Sequence, residues 1–301
     1  MNILITGGTG FIGKNLIEYL LFKKINKLII ITNKINNSFL DSLNIKKILI
    51  FKKNEFNKKK IKIDLVIFLS SPSNNIYSKS EYDKNILFLK DLITYIAKQK
   101  IIKFIFLSSG GVYGINKVRK KLKDNITLNK ANTLYGNHKL ECEKLLKNYS
   151  LKLEFNYLIM RVFSVYGPYM NFDDFLIGNI IRDINLKRKL VIKSNKLIYR
   201  NFIYVNDLCK LIFKSINNLQ ANNLIMNVGN FNIRNDKLIK LFLKLYDYKY
   251  YDKLIFNLIL FDFNIPNLKK QNSLFKLKFT DINKSLNSTK NWHKTNILNN
   301  I

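Results

Sequence analysis

"NILITGGTGFIG", residues 2–13, decides how the rest of the chain is read. Residues 2–6 are a short apolar run without polar alternation, as expected of a strand buried on both faces. The run leads without a gap into Gly7-x-x-Gly10-x-x-Gly13 and the amphipathic stretch 11–22. A glycine pattern alone is weak, but strand, glycines and helix in this order are what a dinucleotide-binding turn requires. Gly7 permits the tight turn, Gly10 lets the backbone approach a pyrophosphate, and Gly13 lets the helix pack on the sheet. The helix N-terminus, at Phe11 and Ile12, then faces the phosphates.

Outward from this turn the pattern repeats. "KLIIIT" 27–32, "KILIF" 47–51, "DLVIFLS" 64–70 and "KFIFLSS" 103–109 read as strands, and "YLIMRVFSVYG" 157–167 as a sixth. Stretches 84–98 and 134–148 read as helices. Apolar strands alternating with helices imply an α/β fold with a parallel sheet covered on both faces. In the second half, 206–216 and 235–246 read as helices and 224–229 as a strand, while the last ~50 residues read as loop-rich and polar. After the second strand, where a carboxylate would bond the ribose 2′-OH of NAD, stand Thr32, Asn33 and Lys34. Asn33 suits the ribose and Lys34 a 2′-phosphate, so both NAD and NADP fit.

Composition sets the bounds. The chain has 301 residues, 47% of them hydrophobic, enough for a sizeable core in one large α/β unit or two joined domains. No apolar run reaches the ~18 residues needed to span a bilayer. "MNILITG" enters a strand at once, without the basic start of a signal peptide. Two distant cysteines, Cys142 and Cys209, point to a reducing, cytoplasmic setting. The formal charge of +32 invites a nucleic-acid reading. Against it, Lys outnumbers Arg 46 to 6, although Arg is the better reader of phosphate and guanine. The runs 57–62 and 117–123 read as solvated loops. His138 and His293 are isolated and read as structural or exposed, and no metal-ligand spacing appears.

The chemistry turns on "YGNHK", 135–139. Tyr-x-x-x-Lys occurs three times, at Tyr19–Lys23, Tyr113–Lys117 and Tyr135–Lys139, where composition alone predicts about two. Context must choose among them. The chain resembles the extended short-chain dehydrogenase/reductases of the nucleotide-sugar epimerase/dehydratase group. The residues that carry the resemblance are the glycine turn, "FLSSGGVYG" 106–114, "YGNHK" 135–139, "RVFSVYGP" 161–168, "RNFIYVNDL" 200–208, "MNVGN" 226–230 and "NW" 291–292. They occur in the family's order along nearly the whole chain. In that order only Tyr135 opens a helix after the Ser segment, with Ser109 upstream.

The resemblance implies a Rossmann-type doubly wound sheet with a smaller C-terminal α/β substrate-binding region. Residues 1–165 would bind the dinucleotide, with parts of about 200–230 packing back, and 166–301 would mainly bind substrate. It implies Ser109, Tyr135 and Lys139 as catalytic residues. Tyr135 and Lys139 share a helix face, so the ammonium favours phenolate over phenol and would lower a free pKa of about 10. Leu69, Ser70 and Ser71 would lie beside the cofactor, Asn85 would help place it, and Lys139 would hold its ribose. Arg200 would pair with the diphosphate of a nucleotide sugar, its alternative being an ion pair with Asp207. Ser164 stands where the family often has a substrate-contacting Asn, Asn201 replaces an expected Asp, and Lys269 or Lys270 would have to replace a second Arg. In the family's dehydratases and decarboxylases a Glu stands two residues before the Tyr of Val-Tyr-Gly; here that position is Gly111. A glycine transfers no proton, which disfavours dehydration and leaves redox at one sugar carbon. A 4-epimerase using NAD is the leading expectation. A 4-ketoreductase consuming NADPH is the runner-up, and a non-catalytic dinucleotide-binding regulator the rival from another class. The resemblance also implies a homodimer packed through helices near 84–98 and 134–148.

Overall fold

The computed structural model describes residues 1–35, 37–43, 46–58, 60–72, 78–115, 119–126, 128, 130–171, 176–188, 193–247 and 255–298. In chain order the first part holds β1 Asn2–Thr6, α1 Phe11–Leu21, β2 Lys27–Thr32, α2 Ser38–Ser42, β3 Ile48–Lys52, β4 Leu65–Phe68, α3 Lys79–Ile96 and β5 Lys103–Ser109. There follow α4 Leu134–Leu153, β6 Tyr157–Val162, β7 Ser164–Tyr166, α5 Leu176–Asn185, β8 Lys193–Tyr204 and α6 Val205–Ser215. The chain continues through β9 Leu224–Val228, β10 Phe231–Arg234, α7 Asn235–Leu245, β11 Ile255–Asn264, α8 Lys269–Phe275 and α9 Ile282–Leu298.

Seven strands form one parallel sheet in the order β3-β2-β1-β4-β5-β6-β9. The unbroken apolar runs are explained by what covers them. Successive strand residues face opposite sides. Ile3, Ile5, Ile30, Ile67 and Ile105 pack on the side of α1 and α6, while Leu4, Ile29, Ile31, Val66, Phe68, Phe104 and Phe106 pack on the side of α3 and α4. The order reverses between β1 and β4, so the crevice beyond their C-terminal ends is where such sheets take ligands.

The stretch 157–167 is not one strand. It leaves the main sheet at Phe163, whose N–H still donates to Val228 O (3.0 Å), and restarts as β7 in a second sheet. That mixed sheet joins β7, β8, β10 and β11, with β10 antiparallel to β8 and the other two parallel to it. The end of the chain is more ordered than its polarity suggests: β11, α8 and α9 lie within the segment expected to be loop-rich. Trp292 packs on Tyr169 (ring centroids 4.6 Å apart), and Tyr166 and Tyr204 hydrogen-bond Ser285 and Ser288 of α9. Of the basic runs read as loops, Lys59, Lys117 and Val118 lie outside the described residues.

Lys103 opens β5 at 1% exposure, and its ammonium donates to Ser215 O (2.7 Å) and Asn218 O (2.9 Å), serving carbonyls at the end of α6. Burial lowers its pKa from 10.5 to about 8. Between those values the unfolded chain holds a proton that the folded protein has released, so this group's contribution to stability rises with pH across that window. The unfolding free energy of the protein, measured against Lys103→Met, is therefore expected to increase from pH 8 to 10.5; a flat or falling difference would contradict the assignment.

Candidate active site

The glycine turn is built at the switch point. Gly7 has φ +72°, a left-handed conformation that side chains rarely adopt, and Ser70 N lies 3.0 Å from where its Cβ would be. The ends of β1 and β4 therefore meet backbone to backbone, which brings Leu69 and Ser70 beside the turn. A Cβ on Gly13 would stand 2.2 Å from Gly7 O and 2.7 Å from Gly8 Cα. These are backbone atoms held by the start of α1 and cannot swing away. Gly10 is the N-cap of α1 and supplies no side-chain cap, so the N–H groups of the first turn, including those of Phe11 and Ile12, carry the positive end of the helix toward the crevice. These features fit a dinucleotide pyrophosphate. Gly13→Ala is expected to abolish detectable dinucleotide binding in an equilibrium titration, and retained affinity would show that binding does not depend on this close packing of α1 against the turn.

At the end of β2, Thr32 is buried and its hydroxyl pairs with Thr9 Oγ1 (2.9 Å) and accepts from Lys34 N (3.1 Å). Asn33 and Lys34 are exposed. Lys14, on α1, comes near enough to Lys34 for repulsion to add to burial in lowering its pKa. Lys14 also lies over the rings of Phe39 and Tyr169. No spacing in the sequence marked Lys14.

Ser109 closes β5, and its Oγ accepts from Gly111 N (3.0 Å) in the 3₁₀ turn Gly110–Tyr113. Thr133 caps α4 by accepting from Gly136 N (3.0 Å), which fixes Tyr135 in the first turn. Tyr135 and Ser109 both lie against Gly111. Lys139, 3% exposed, lies one turn on; its ammonium donates to Leu107 O (2.9 Å) and stands 5.7 Å from the centre of the Tyr135 ring. Ser109, Tyr135 and Lys139 thus meet at one place. The Tyr19–Lys23 pair lies elsewhere, with Lys23 over the Tyr19 and Phe213 rings. Lys117 of the third pair lies outside the described residues.

Electrostatics here depart from the simple expectation. Burial raises the Tyr135 pKa, and Ser109 offsets part of the rise. Burial also lowers Lys139 to about 8, with Cys142 and Glu143 opposing the shift. Burial is the largest cause of both shifts, so the phenol is raised although Lys139 shares its helix face.

A Cβ on Gly111 would lie 3.3 Å from Ser109 Oγ and 3.4 Å from Tyr135 Cδ1. A side chain at this position would touch both groups, so its absence is a property of the site itself.

Beneath the pair lies a polar network that the sequence did not reveal. Glu143, one turn past Lys139, accepts from Arg161 Nη2 (2.8 Å) and Nε (3.0 Å) and from Ser108 Oγ (2.5 Å). Arg161 Nη1 donates to Tyr113 OH (3.0 Å), and Tyr113 OH donates to Asn227 Oδ1 (2.7 Å). Asn227 Nδ2 donates in turn to Leu122 O (2.8 Å). Glu143 and Arg161 are each 3% exposed. Asn85, expected beside the cofactor, is 5% exposed and its Oδ1 pairs with His138 Nε2 (3.1 Å). Burial and Lys139 lower His138 to about 4, so the ring is neutral and Nε2–H is the donor. His293 is also fully buried, and its Nε2 meets Gly167 O (3.3 Å). Neither histidine is exposed. No group of His, Cys, Asp or Glu suited to a metal is found among the described residues.

Ser164 and Arg200 lie on the second sheet. Ser164 is the register partner of Phe202, two residues from Arg200, so all three point to one face. Arg200 does not pair with Asp207. That carboxylate is fully buried and is satisfied by Lys210 Nζ, Thr280 N and Thr280 Oγ1, each at 2.9 Å. Burial lowers the Arg200 pKa, and Asp262 opposes the shift. Asn201 accepts from Asn230 N (3.0 Å) and donates to Asn232 Oδ1 (3.0 Å), a backbone-tethering role. Lys270 is engaged by Asp124 (3.1 Å) and Ile225 O (3.2 Å), and Lys269 N donates to Asn267 Oδ1 (3.0 Å). No helix among the described residues is long and apolar enough to cross a membrane.

Residues 3–229 match the model of the NAD dependent epimerase/dehydratase family. A dTDP-D-glucose 4,6-dehydratase of Dictyostelium discoideum is 30% identical over 235 residues, 68% of this chain and 53% of that one, so the chain spans about half of that relative's length. A GDP-6-deoxy-D-talose 4-dehydrogenase of Aggregatibacter actinomycetemcomitans is 28% identical over 231 residues, 75% of this chain and 73% of that one. Among solved structures, UDP-glucose 4-epimerase of Thermotoga maritima, crystallised with UDP-glucose, superposes with a TM-score of 0.85 at 19% identity, covering 99% of this chain and 100% of that one. That likeness bears on the fold.

Proposed function

The chain belongs to the NAD dependent epimerase/dehydratase family, and from that premise we propose that it is a nucleotide-sugar epimerase inverting C4 of the sugar. The observation that carries this reading is Gly111. Ser109, Tyr135 and Lys139 stand together, and the position that could bring a further acid against them holds only hydrogen. Such a site can oxidise and reduce one carbon but has no group there to eliminate water from the next.

Bound NAD supplies a hydride acceptor that later returns the hydride. Tyr135 takes the proton of the C4 hydroxyl as that carbon becomes a ketone, and gives it back when the carbon is reduced from its other face. Ser109, beside Tyr135 at Gly111, holds the same sugar oxygen. Lys139 holds the cofactor ribose. Arg200 holds the diphosphate and Ser164 the sugar, both from one face of the second sheet. The glycine turn with Leu69 and Ser70 cradles the cofactor, residues 1–165 with parts of 200–230 forming its domain and 166–301 mainly the substrate region. The enzyme acts in the cytoplasm as a homodimer through α3 and α4, whose Leu87 and Leu134 stand 58% and 61% exposed.

A second reading, a 4-ketoreductase using NADPH, draws on the two cations Lys14 and Lys34 gathered at the end of β2, where no carboxylate stands. A sugar 2′-phosphate on the cofactor would relieve their repulsion. One experiment separates the readings. The purified protein, with no cofactor added, is incubated with UDP-, dTDP-, GDP- and CDP-sugars and the products are separated. A new epimer establishes the epimerase; turnover of a 4-keto sugar only when NADPH is supplied establishes the reductase. Turnover under neither condition overturns both in favour of a non-catalytic binder.

A further inference from the structure

The second sheet has another face. Tyr199 and Arg200 are adjacent on β8, so their side chains leave opposite sides. Arg200 lies on the side of Ser164. Tyr199 lies on the other, with its register partners Arg234 and Phe263. Beside that other face opens a cavity of about 390 Å³ lined by Tyr199, Arg119, Lys120, Lys121, Arg234 and Lys237, which also reaches Ile233, the register partner of Arg200 on the edge strand β10.

Its chemistry differs from scattered surface charge. The chain has six arginines against 46 lysines. Random placement would line a basic cavity with lysine, yet two of the six arginines flank one aromatic ring here. Arg119 lies 5.3 Å from the centre of the Tyr199 ring, and Tyr199 stacks on Phe263 with centroids 5.1 Å apart. Arg234 is oriented by Asp236 through two hydrogen bonds (2.5 and 2.6 Å). The ammonium groups of Lys120, Lys121 and Lys237 belong to exposed residues, and no acidic residue lines the cavity among those described. Asp236 offsets the charge of Arg234; the four other cations around this small volume repel one another, and a compact multivalent anion relieves that repulsion. Guanidinium groups pair with phosphate oxygens through two parallel bonds, and a guanidinium against an aromatic ring offers a flat surface to a base.

We propose that this cavity is a second anion site, beside the face of the sheet opposite Arg200, which binds a small molecule carrying a diphosphate group. The proposal is independent of the reaction assigned above, because it is read by binding alone.

The test is calorimetric titration of the full chain with inorganic pyrophosphate and, separately, with UDP, at about 0.15 M ionic strength. Arg200→Ser is expected to retain saturable pyrophosphate binding at this site. The double variant Arg119→Ser/Lys237→Ser, at two exposed positions, is expected to lose at least about tenfold in affinity with an unchanged unfolding midpoint. UDP binding tighter than pyrophosphate in Arg200→Ser identifies a nucleotide as the source of the diphosphate, and equal affinity identifies the diphosphate alone; both support the site. Unaltered affinity in the double variant overturns it. So does loss of all pyrophosphate binding in Arg200→Ser, which leaves a single anion site on the other face. Non-saturating binding that salt abolishes, shared with RNA, also overturns it and reduces the cavity to general surface charge.

Discussion

Tyr135→Phe is expected to lower turnover by about 10²–10⁴-fold while leaving cofactor affinity and fold intact. The change deletes one oxygen. Its neighbour Ser109 keeps the bond that its Oγ accepts from Gly111 N. The ring still fills its place beside Gly111, and Lys139 is still held by Leu107 O. The glycine turn lies on other elements and is untouched. Unfolding free energy should therefore move by no more than about 0.5 kcal/mol. The measurements are dinucleotide titration, denaturant unfolding and turnover on the sugar identified by the product panel. Near-normal turnover would remove Tyr135 from proton transfer; equal loss of cofactor affinity would make it a binding residue instead.

The second large effect is on stability. Arg161→Met should destabilise the protein by about 3–5 kcal/mol, because it leaves the Glu143 carboxylate buried without its counter-charge. Both partners are 3% exposed, and the contact is two-pronged at 2.8 and 3.0 Å. Replacing both, Glu143→Leu with Arg161→Met, should restore part of the loss, since the two charges of the pair leave together while Lys139 loses the support of Glu143. Urea unfolding of the single and double variants measures this. A single variant within about 1 kcal/mol of the parent would mean that the pair is solvated or readily replaced. Removing Arg161 also frees Tyr113, which ties Asn227 and the Leu122 segment to the end of β5.

Local signals located most of the first half of the molecule, missing the short α2 and the first turn of α3, which starts at Lys79 rather than 84. The runs 27–32 and 103–109 coincide with β2 and β5, and the helix after the glycine turn begins at Phe11 as the turn requires. These elements are dictated by short-range facts: apolar continuity, a period of two or 3.6, and glycines where no side chain fits. The α4 helix was harder to read in full. Its inward face carries His138, Lys139 and Glu143, so hydrophobic periodicity could locate the helix but not assign those residues. Motif order found Tyr135 and Lys139. Glu143 has no signal of its own, because its reason for being there is Arg161, a strand away.

The stretch 157–167 marks the boundary between the two kinds of knowledge. Its sequence determined that it is extended and apolar. That Val162 ends one sheet and Ser164 begins another depends on β9 and β8, more than 30 residues further on, which take the two sides of the break. The same holds for charge. The sequence determined that Lys139 and Tyr135 share a helix face; only the packed structure determined how deeply both are buried, which lowers one pKa and raises the other. Spacing along a chain fixes neighbours within an element. Burial, counter-ions and the face to which Arg200 or Tyr199 turns are set by elements distant in sequence, and those are decided by the tertiary fold.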